Sequence, residues 1–558
     1  MRYFIAVLAL CGAGFAQPPV YSMPVGTGQW VEATEYETFH LVVPQPTSPA
    51  IRQAALAFQN YWKQVTDKKL GVSGTNEGAR NIWLGVPGVT EEALDPAELS
   101  GISAGGCLVR TYTPPDEYAK MGAGQQLFVV GADDEGTLNG VYAFFHEVFR
   151  LRWLEPGVTS VVRARYTMPQ LSLKCAPAFA FRDAALCGVW REGVDEYRRG
   201  AHLPGAWTPP PPGRGYFDGW KDAAAGNGGG VEAVEYGDDA GAARIAGEIA
   251  ALIGAGPDSP DPELRDRRAA VEWPRGSGQW SLNGMHWLSP RLSAEGDALN
   301  RTEESPAASV IRTANLVAEL LRAQFPDAAP KVHVLLPPFL RRPPKSLRPV
   351  EGVVVQLSNA DADFSRPLGL RSPDPANQSF AEDLRGWRRL GAALWVLDHL
   401  CNSRDPLLPF PNLNVIQDNI YLYLQHEVRG LYFDGGMAAN PDGVELAALR
   451  LYLAARLMWN PDQVVEELVD DFARRYYGPG ADAVLEYLRL MTEARLAGGA
   501  RLALDDDAAW LDDASRERVE TLIVEALKVP MDPDVKPRLE ALLGSLRHVA
   551  DVARTSRP

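Results

Sequence analysis

Ala393-Leu394-Trp395-Val396-Leu397, followed at once by Asp398-His399, is apolar at every position of a strand-length run. A strand with one wet face alternates apolar and polar side chains. A run without alternation is buried on both faces, as parallel strands are when helices cover both sides of their sheet. Val332-His333-Val334-Leu335-Leu336, Gly352-Val353-Val354-Val355-Gln356-Leu357 and Gly430-Leu431-Tyr432-Phe433 read the same way. Amphipathic helices are expected between or after them at Arg312–Phe325, Phe380–Arg389 and Ile416–His426. Adding Ala178–Arg182 and Gln279–Leu282 gives about six candidate strands of a degenerate, TIM-like (β/α)-barrel, expected over 176–443. From Val444 the chain turns helical, and 444–558 is expected as a helical C-terminal region.

The N-terminal third is also α/β. Phe39-His40-Leu41-Val42-Val43 reads as a strand, and Ser48-Pro49 then opens a helix with Ser at the N-cap and Pro at N1. Its apolar positions Ile51, Ala54, Ala55, Phe58, Trp62 and Val65 recur at helical spacing, predicting one buried stripe. Ile82-Trp83-Leu84, Cys107-Leu108-Val109 and Leu127-Phe128-Val129-Val130 are three further short strands, before a helix over Thr137–Phe149. The expected unit is a small α/β sandwich over 26–164. Between the two halves, about 184–275 is rich in Gly, Pro and Ala, with Pro209-Pro210-Pro211-Pro212 and Gly226 to Gly230, and reads as an irregular insert.

The 558 residues are 46% hydrophobic and 23% charged, which excludes a disordered or fibrous chain. Lys and Arg number 55 against 71 Asp and Glu, a net charge of -16, and this balance argues against a nucleic-acid partner. Arg2, the apolar run Ile5 to Phe15 and the small residues of Gly14-Phe15-Ala16 predict a signal peptide over 1–16, cleaved before Gln17, and a secreted or periplasmic protein. No later stretch is a candidate membrane span. The cysteines, Cys11, Cys107, Cys175, Cys187 and Cys401, show no metal-ligand spacing. A Cys175–Cys187 disulfide and buried thiols are both open. No HExxH, GxSxG, Walker loop or Rossmann fingerprint occurs, and no metal or cofactor is expected.

Gly136-Thr137-Leu138-Asn139-Gly140-Val141-Tyr142 and Arg152-Trp153-Leu154-Glu155-Pro156-Gly157 resemble the non-catalytic domain that precedes the barrel in alpha-glucuronidases and hexosaminidase-like enzymes. The C-terminal half resembles bacterial proteins carrying domain of unknown function 4838, related to glycoside hydrolase family 163. The residues behind this are Pro343-Pro344-Lys345, Trp387, Asp398-His399, Pro409-Phe410-Pro411-Asn412, Val428-Arg429-Gly430-Leu431-Tyr432 and Leu457-Met458-Trp459-Asn460-Pro461. The resemblance implies an exported glycoside hydrolase with a glycan substrate, plausibly one containing N-acetylhexosamine or uronic acid. In Trp280-Ser281-Leu282-Asn283-Gly284, Gly284 stands where the family usually has an acid, and the family's close cysteines are absent. A glycan-binding protein on a decayed barrel is therefore the alternative.

Glycoside hydrolysis needs two carboxyl groups flanking the scissile bond, and barrel sites sit at the carboxyl ends of strands. Asp434, after Leu431-Tyr432-Phe433, and Asp398, after Trp395-Val396-Leu397, are the expected catalytic pair, projecting into one cleft. His399, Asn283, Trp395, Asp361 and Asp183 are expected to bind substrate, Trp395 by stacking on a sugar ring.

Overall fold

The computed structural model describes residues 25–31, 33–43, 45–74, 80–85, 98, 101–116, 124–162, 167–186, 193–203, 235–262, 264–265, 268, 272, 279–282, 291–435, 443–499 and 501–555. The expected signal peptide, Cys187, the polyproline run, Asn283 and Gly284 lie outside them. The chain divides into two compact units, Met1–Phe144 with Arg163–Ala178, and Phe145–Val162 with Phe179–Pro558.

The first unit is built on a seven-stranded mixed sheet. Its strands are β1 (Val25–Val31), β2 (Phe39–Val42), β3 (Gly71–Ser73), β4 (Arg80–Leu84), β5 (Cys107–Tyr112), β6 (Gln126–Gly131) and β9 (Met168–Cys175), in the order β1-β9-β5-β6-β4-β2-β3. Helix α1 (Pro49–Thr66) starts as expected: the Ser48 side chain accepts from the Ile51 amide, and Ile51, Ala54, Ala55, Phe58, Trp62 and Val65 are buried. Helix α2 (Asp134–Val148) brings Phe144 onto Phe58 and Tyr142 onto Tyr61, with ring centroids 5.5 and 5.8 Å apart. The Gly136–Tyr142 signature is explained by this packing. A Cβ on Gly136 would lie 2.2 Å from the Gly106 carbonyl oxygen, Thr137 Oγ1 accepts from the Gly131 amide, and Asn139 donates to the Gly105 carbonyl.

The second unit contains a parallel half-barrel sheet of six strands among the described residues. Its strands are β10 (Phe181–Leu186), β12 (Gln279–Ser281), β14 (Lys331–Leu336), β15 (Val353–Ser358), β16 (Ala393–His399) and β17 (Gly430–Gly435), in the order β10-β17-β16-β15-β14-β12. Every neighbouring pair is parallel. The hairpin β7 (Arg152–Glu155) and β8 (Val158–Ser160) also belongs to this unit, and Arg152 is ion-paired to Asp471 at 2.7 Å. In the stretch read as irregular, the described residues include the helices α3 (Val194–Gly200) and α4 (Asp239–Ala255). The second buries Ala242, Ile245, Ala246, Ile249, Ala250 and Leu252, a helical stripe half of which is alanine and which composition alone hides.

The other helices of this unit are α5 (Ala294–Thr302), α6 (Ala308–Gln324), α7 (Pro375–Arg389), α8 (Ile416–Gln425), α9 (Ala447–Trp459), α10 (Val465–Tyr477), α11 (Ala481–Gly498), α12 (Asp513–Ala526) and α13 (Lys536–Thr555). Among the described residues no helix is long and apolar enough to cross a membrane.

Candidate functional site

Residues in register on neighbouring parallel strands project to the same face, and successive residues alternate faces. Register therefore sorts the parallel sheet into two surfaces. One carries Phe181, Gly430, Trp395 and Gln356 in a first layer, then Asp183, Tyr432, Leu397 and Ser358, then Asp434 and His399 at the carboxyl end. The other carries Arg182, Leu431, Val396 and Leu357, then Ala184, Phe433 and Asp398. The second surface is the helix side: Asp398 meets Tyr423 of α8, and the Arg182 guanidinium lies 5.2 Å from the Trp459 ring of α9. The first is the inner face, and its polar residues gather toward the strand ends.

Asp434 and His399 are the pair at that end. His399 Nδ1 lies 3.6 Å from Asp434 Oδ2, and both side chains are nearly buried. Neither ring nitrogen of His399 has a hydrogen-bond partner among the described residues. The backbone around them is fixed. The Leu400 amide donates to the Asp434 carbonyl at 2.8 Å, and Asn412 Nδ2 donates to the His399 carbonyl at 3.1 Å. Buried Arg450 of α9 is ion-paired to Glu445 and donates to the carbonyls of Leu400 and Phe410 and to Asn412 Oδ1, holding the loop that follows β16. The Phe364 ring meets the imidazole edge to face, at 5.8 Å and 87°.

Asp398 does not join Asp434. Its Oδ2 accepts from the Tyr423 hydroxyl at 2.6 Å, and its Oδ1 accepts from Asn359 Nδ2 at 2.6 Å and the His399 amide at 2.7 Å. Burial and the Asp398 carboxylate hold the Tyr423 phenol well above its usual range. The expectation of one cleft holding both carboxylates is corrected by strand alternation, which separates neighbours in sequence onto opposite faces.

Asp183 is on the inner face, one layer deeper than Asp434. Two residues of stagger across adjacent strands set their Cα atoms about 8 Å apart. Asp183 Oδ1 takes Arg198 Nη1 at 2.9 Å and the Ala184 amide at 2.8 Å. Burial raises the Asp183 carboxyl above its ordinary value, and the Arg198 ion pair pulls the other way. Burial, with Asp434 and Asp183 adding to it, drives the Tyr432 phenol far above its usual range.

Trp395 forms the floor of this face and is not an open stacking platform. Phe181 stacks on it at 4.4 Å and 8°, His333 meets it edge-on at 5.6 Å, and the residue is 6% exposed. Gly430 makes room, since a Cβ there would lie 2.3 Å from the indole. Burial pushes the His333 imidazole down to about 3, so the ring is neutral. Asp361 is engaged by Arg341, whose Nη1 lies 2.6 Å from Oδ1 and Nη2 3.2 Å from Oδ2. Arg341 is the residue that sequence reading missed. The residue is buried, and its guanidinium also holds Asp383 and the Ser358 carbonyl, tying together the segments after β14 and β15.

Residues 292–489 match the family described as Domain of unknown function (DUF4838). No curated protein matches the chain. Among solved structures, the chain is similar to a family GH115 4-O-methyl-alpha-glucuronidase with specificity for decorated arabinogalactans. That pair is 12% identical with a TM-score of 0.51, over 92% of this chain and 72% of the glucuronidase. A GH138 enzyme targeting pectin rhamnogalacturonan II aligns at 10% identity and a TM-score of 0.45, over 92% of this chain and 69% of its own. Streptomyces plicatus N-acetyl-beta-hexosaminidase aligns at 15% identity and a TM-score of 0.39, over 82% of this chain and 91% of its own. The chain thus carries a DUF4838 domain over residues 292–489, on a fold like that of the GH115 glucuronidase.

Proposed function

We propose that this protein acts on a glycan at the carboxyl end of the inner face, as a glycoside hydrolase in which Asp434 is the carboxylate that meets the sugar. The observation behind this reading is the Asp434–His399 pair, two polar side chains projecting together from neighbouring strand ends, 3.6 Å apart. Strand ends of this kind are where barrel enzymes place their chemistry. The likeness in fold to a glucuronidase supports a uronic-acid-containing glycan as the first substrate class to test. The Arg2 and Gly14-Phe15-Ala16 features support export as part of the same proposal, and the N-terminus of the exported protein should then be Gln17.

A second reading, a glycan-binding protein without turnover, is favoured by one observation. The expected partner carboxylate, Asp398, faces the helices and leaves Asp434 without it. Screening the purified protein against a glycan library for both binding and release of reducing ends separates the two. Turnover supports the hydrolase, binding alone supports the second reading, and neither result in any glycan overturns both.

A further inference from the structure

We infer that the proton-transfer group of this site is the imidazole of His399, oriented by Asp434, in place of a second carboxylate. The inference rests on the hydrolase reading above and names the residue that would complete it.

Among the described residues, the other carboxylates near the strand ends have named partners. Asp398 is on the helix side with three donors. Asp361 is clamped by Arg341. Asp363 Oδ1 accepts from the amide and hydroxyl of Ser365 and from the Leu502 amide. Asp183 lies a layer deeper, against Arg198. Beside Asp434, in register on the next strand, the imidazole of His399 can give and take a proton.

Its placement is specific. A ring that only filled space there would be cheaper as phenylalanine, because a buried polar group left unmet costs stability. His399 keeps two such nitrogens at 6% exposure. Its orientation is held from three sides. Asp398 takes the His399 amide from behind, Asn412 takes the carbonyl, and Phe364 meets the ring edge to face. Nδ1 is the nitrogen turned to Asp434. In an imidazolium both ring nitrogens carry protons, and with Nδ1 turned to Asp434 the Nε2–H is the one left as donor. In the step proposed, the bond from the anomeric carbon to the glycosidic oxygen breaks and that oxygen takes the Nε2 proton. The oxygen of water bonds to the anomeric carbon, and a proton of that water returns to Nε2. One water is consumed and the imidazolium is restored.

The test uses dinitrophenyl and phenyl glycosides of glucuronic acid and N-acetylglucosamine, in both anomers. Dinitrophenolate departs without protonation, whereas phenolate needs an acid. The expected result for His399→Asn is a loss of about 10²–10⁴-fold in kcat/KM on the phenyl glycoside that the wild type cleaves, and a change under about tenfold in kcat/KM on its dinitrophenyl counterpart, whose leaving-group bond breaks before Nε2 takes the proton of water. His399→Gln should behave alike, and retained dinitrophenyl turnover itself reports a folded site. Equal losses on both leaving groups, or no loss on either, overturn the assignment while leaving the hydrolase reading in place. A wild type inert on every glycoside overturns the hydrolase reading and this assignment together.

Discussion

Asp398 and Asp434 sit on adjacent parallel strands and point to opposite faces of the sheet. Asp398 is in register with Phe433, and Asp434 with His399. A shift of one residue in either strand alone would put both carboxylates on the same face. As the chain folds, Asp398 fastens β16 to α8, and Asp434 is left for the inner face.

The first prediction concerns that fastening. Removing the Tyr423 hydroxyl deletes a 2.6 Å bond to a buried carboxylate. Tyr423→Phe should cost about 1.5–3 kcal/mol, the range for hydrogen bonds to charged groups. The midpoint of urea unfolding reads this directly. An unchanged midpoint would mean that Asp398 draws nothing from the helix side.

Arg341 should matter more. It is 1% exposed, bridges Asp361 and Asp383, and lies 5.0 Å from the Phe380 ring. Arg341→Met leaves the Asp383 carboxyl buried, where burial already raises it. Breaking such a pair costs about 3–5 kcal/mol. Asp361→Asn should cost less, because its side chain is 36% exposed. The order of the two variants in denaturant melts is the check.

Acid should weaken the fold over a defined range. Burial pushes His146 and His333 down to about 3, and His202 moves in the same direction. The unfolded chain takes up protons at His146 and His333 below about 6.5, while the folded chain does so only near 3. Their contribution is therefore complete above pH 6.5 and is lost as pH falls toward 3, at up to about 1.4 kcal/mol per pH unit for each ring. Asp183, whose carboxyl is raised, opposes this just above its ordinary value. His333→Gln should flatten the dependence of unfolding free energy on pH in this window. A wild-type profile flat from neutral pH to 4 would contradict it.

The elements were legible where the residues carry a period or a continuous apolar run. The stripe of α1 and the strands β14 to β17 were read near their observed positions. In β9, Leu171, Leu173 and Cys175 alternate with less buried neighbours, and this signal was present but passed over. The α4 stripe was hidden because alanine contributes little contrast. The site was legible only in part, for a physical reason. A strand buried on both faces has no polar alternation to reveal its phase, so Trp395-Val396-Leu397 does not say which of Asp398 and His399 turns inward. Register with neighbouring strands supplies that phase, and register is a tertiary property. Arg341 was missed for the same cause: its partners Asp361 and Asp383 lie 20 and 42 residues away in sequence.

The central claim, that the inner face around Asp434 handles the glycan while Asp398 serves the fold, is tested most directly by comparing Asp434→Asn with Asp398→Asn. The measurement is turnover per folded molecule on a glycan that the wild type cleaves, with unfolding midpoints in parallel. The account predicts that Asp434→Asn lowers turnover by about 10²–10⁴-fold with its midpoint nearly unchanged. It predicts that Asp398→Asn loses about 1–3 kcal/mol of stability while its folded fraction stays within about tenfold of wild-type turnover. The reverse pattern, with Asp398→Asn inactive yet stable and Asp434→Asn active, would contradict it.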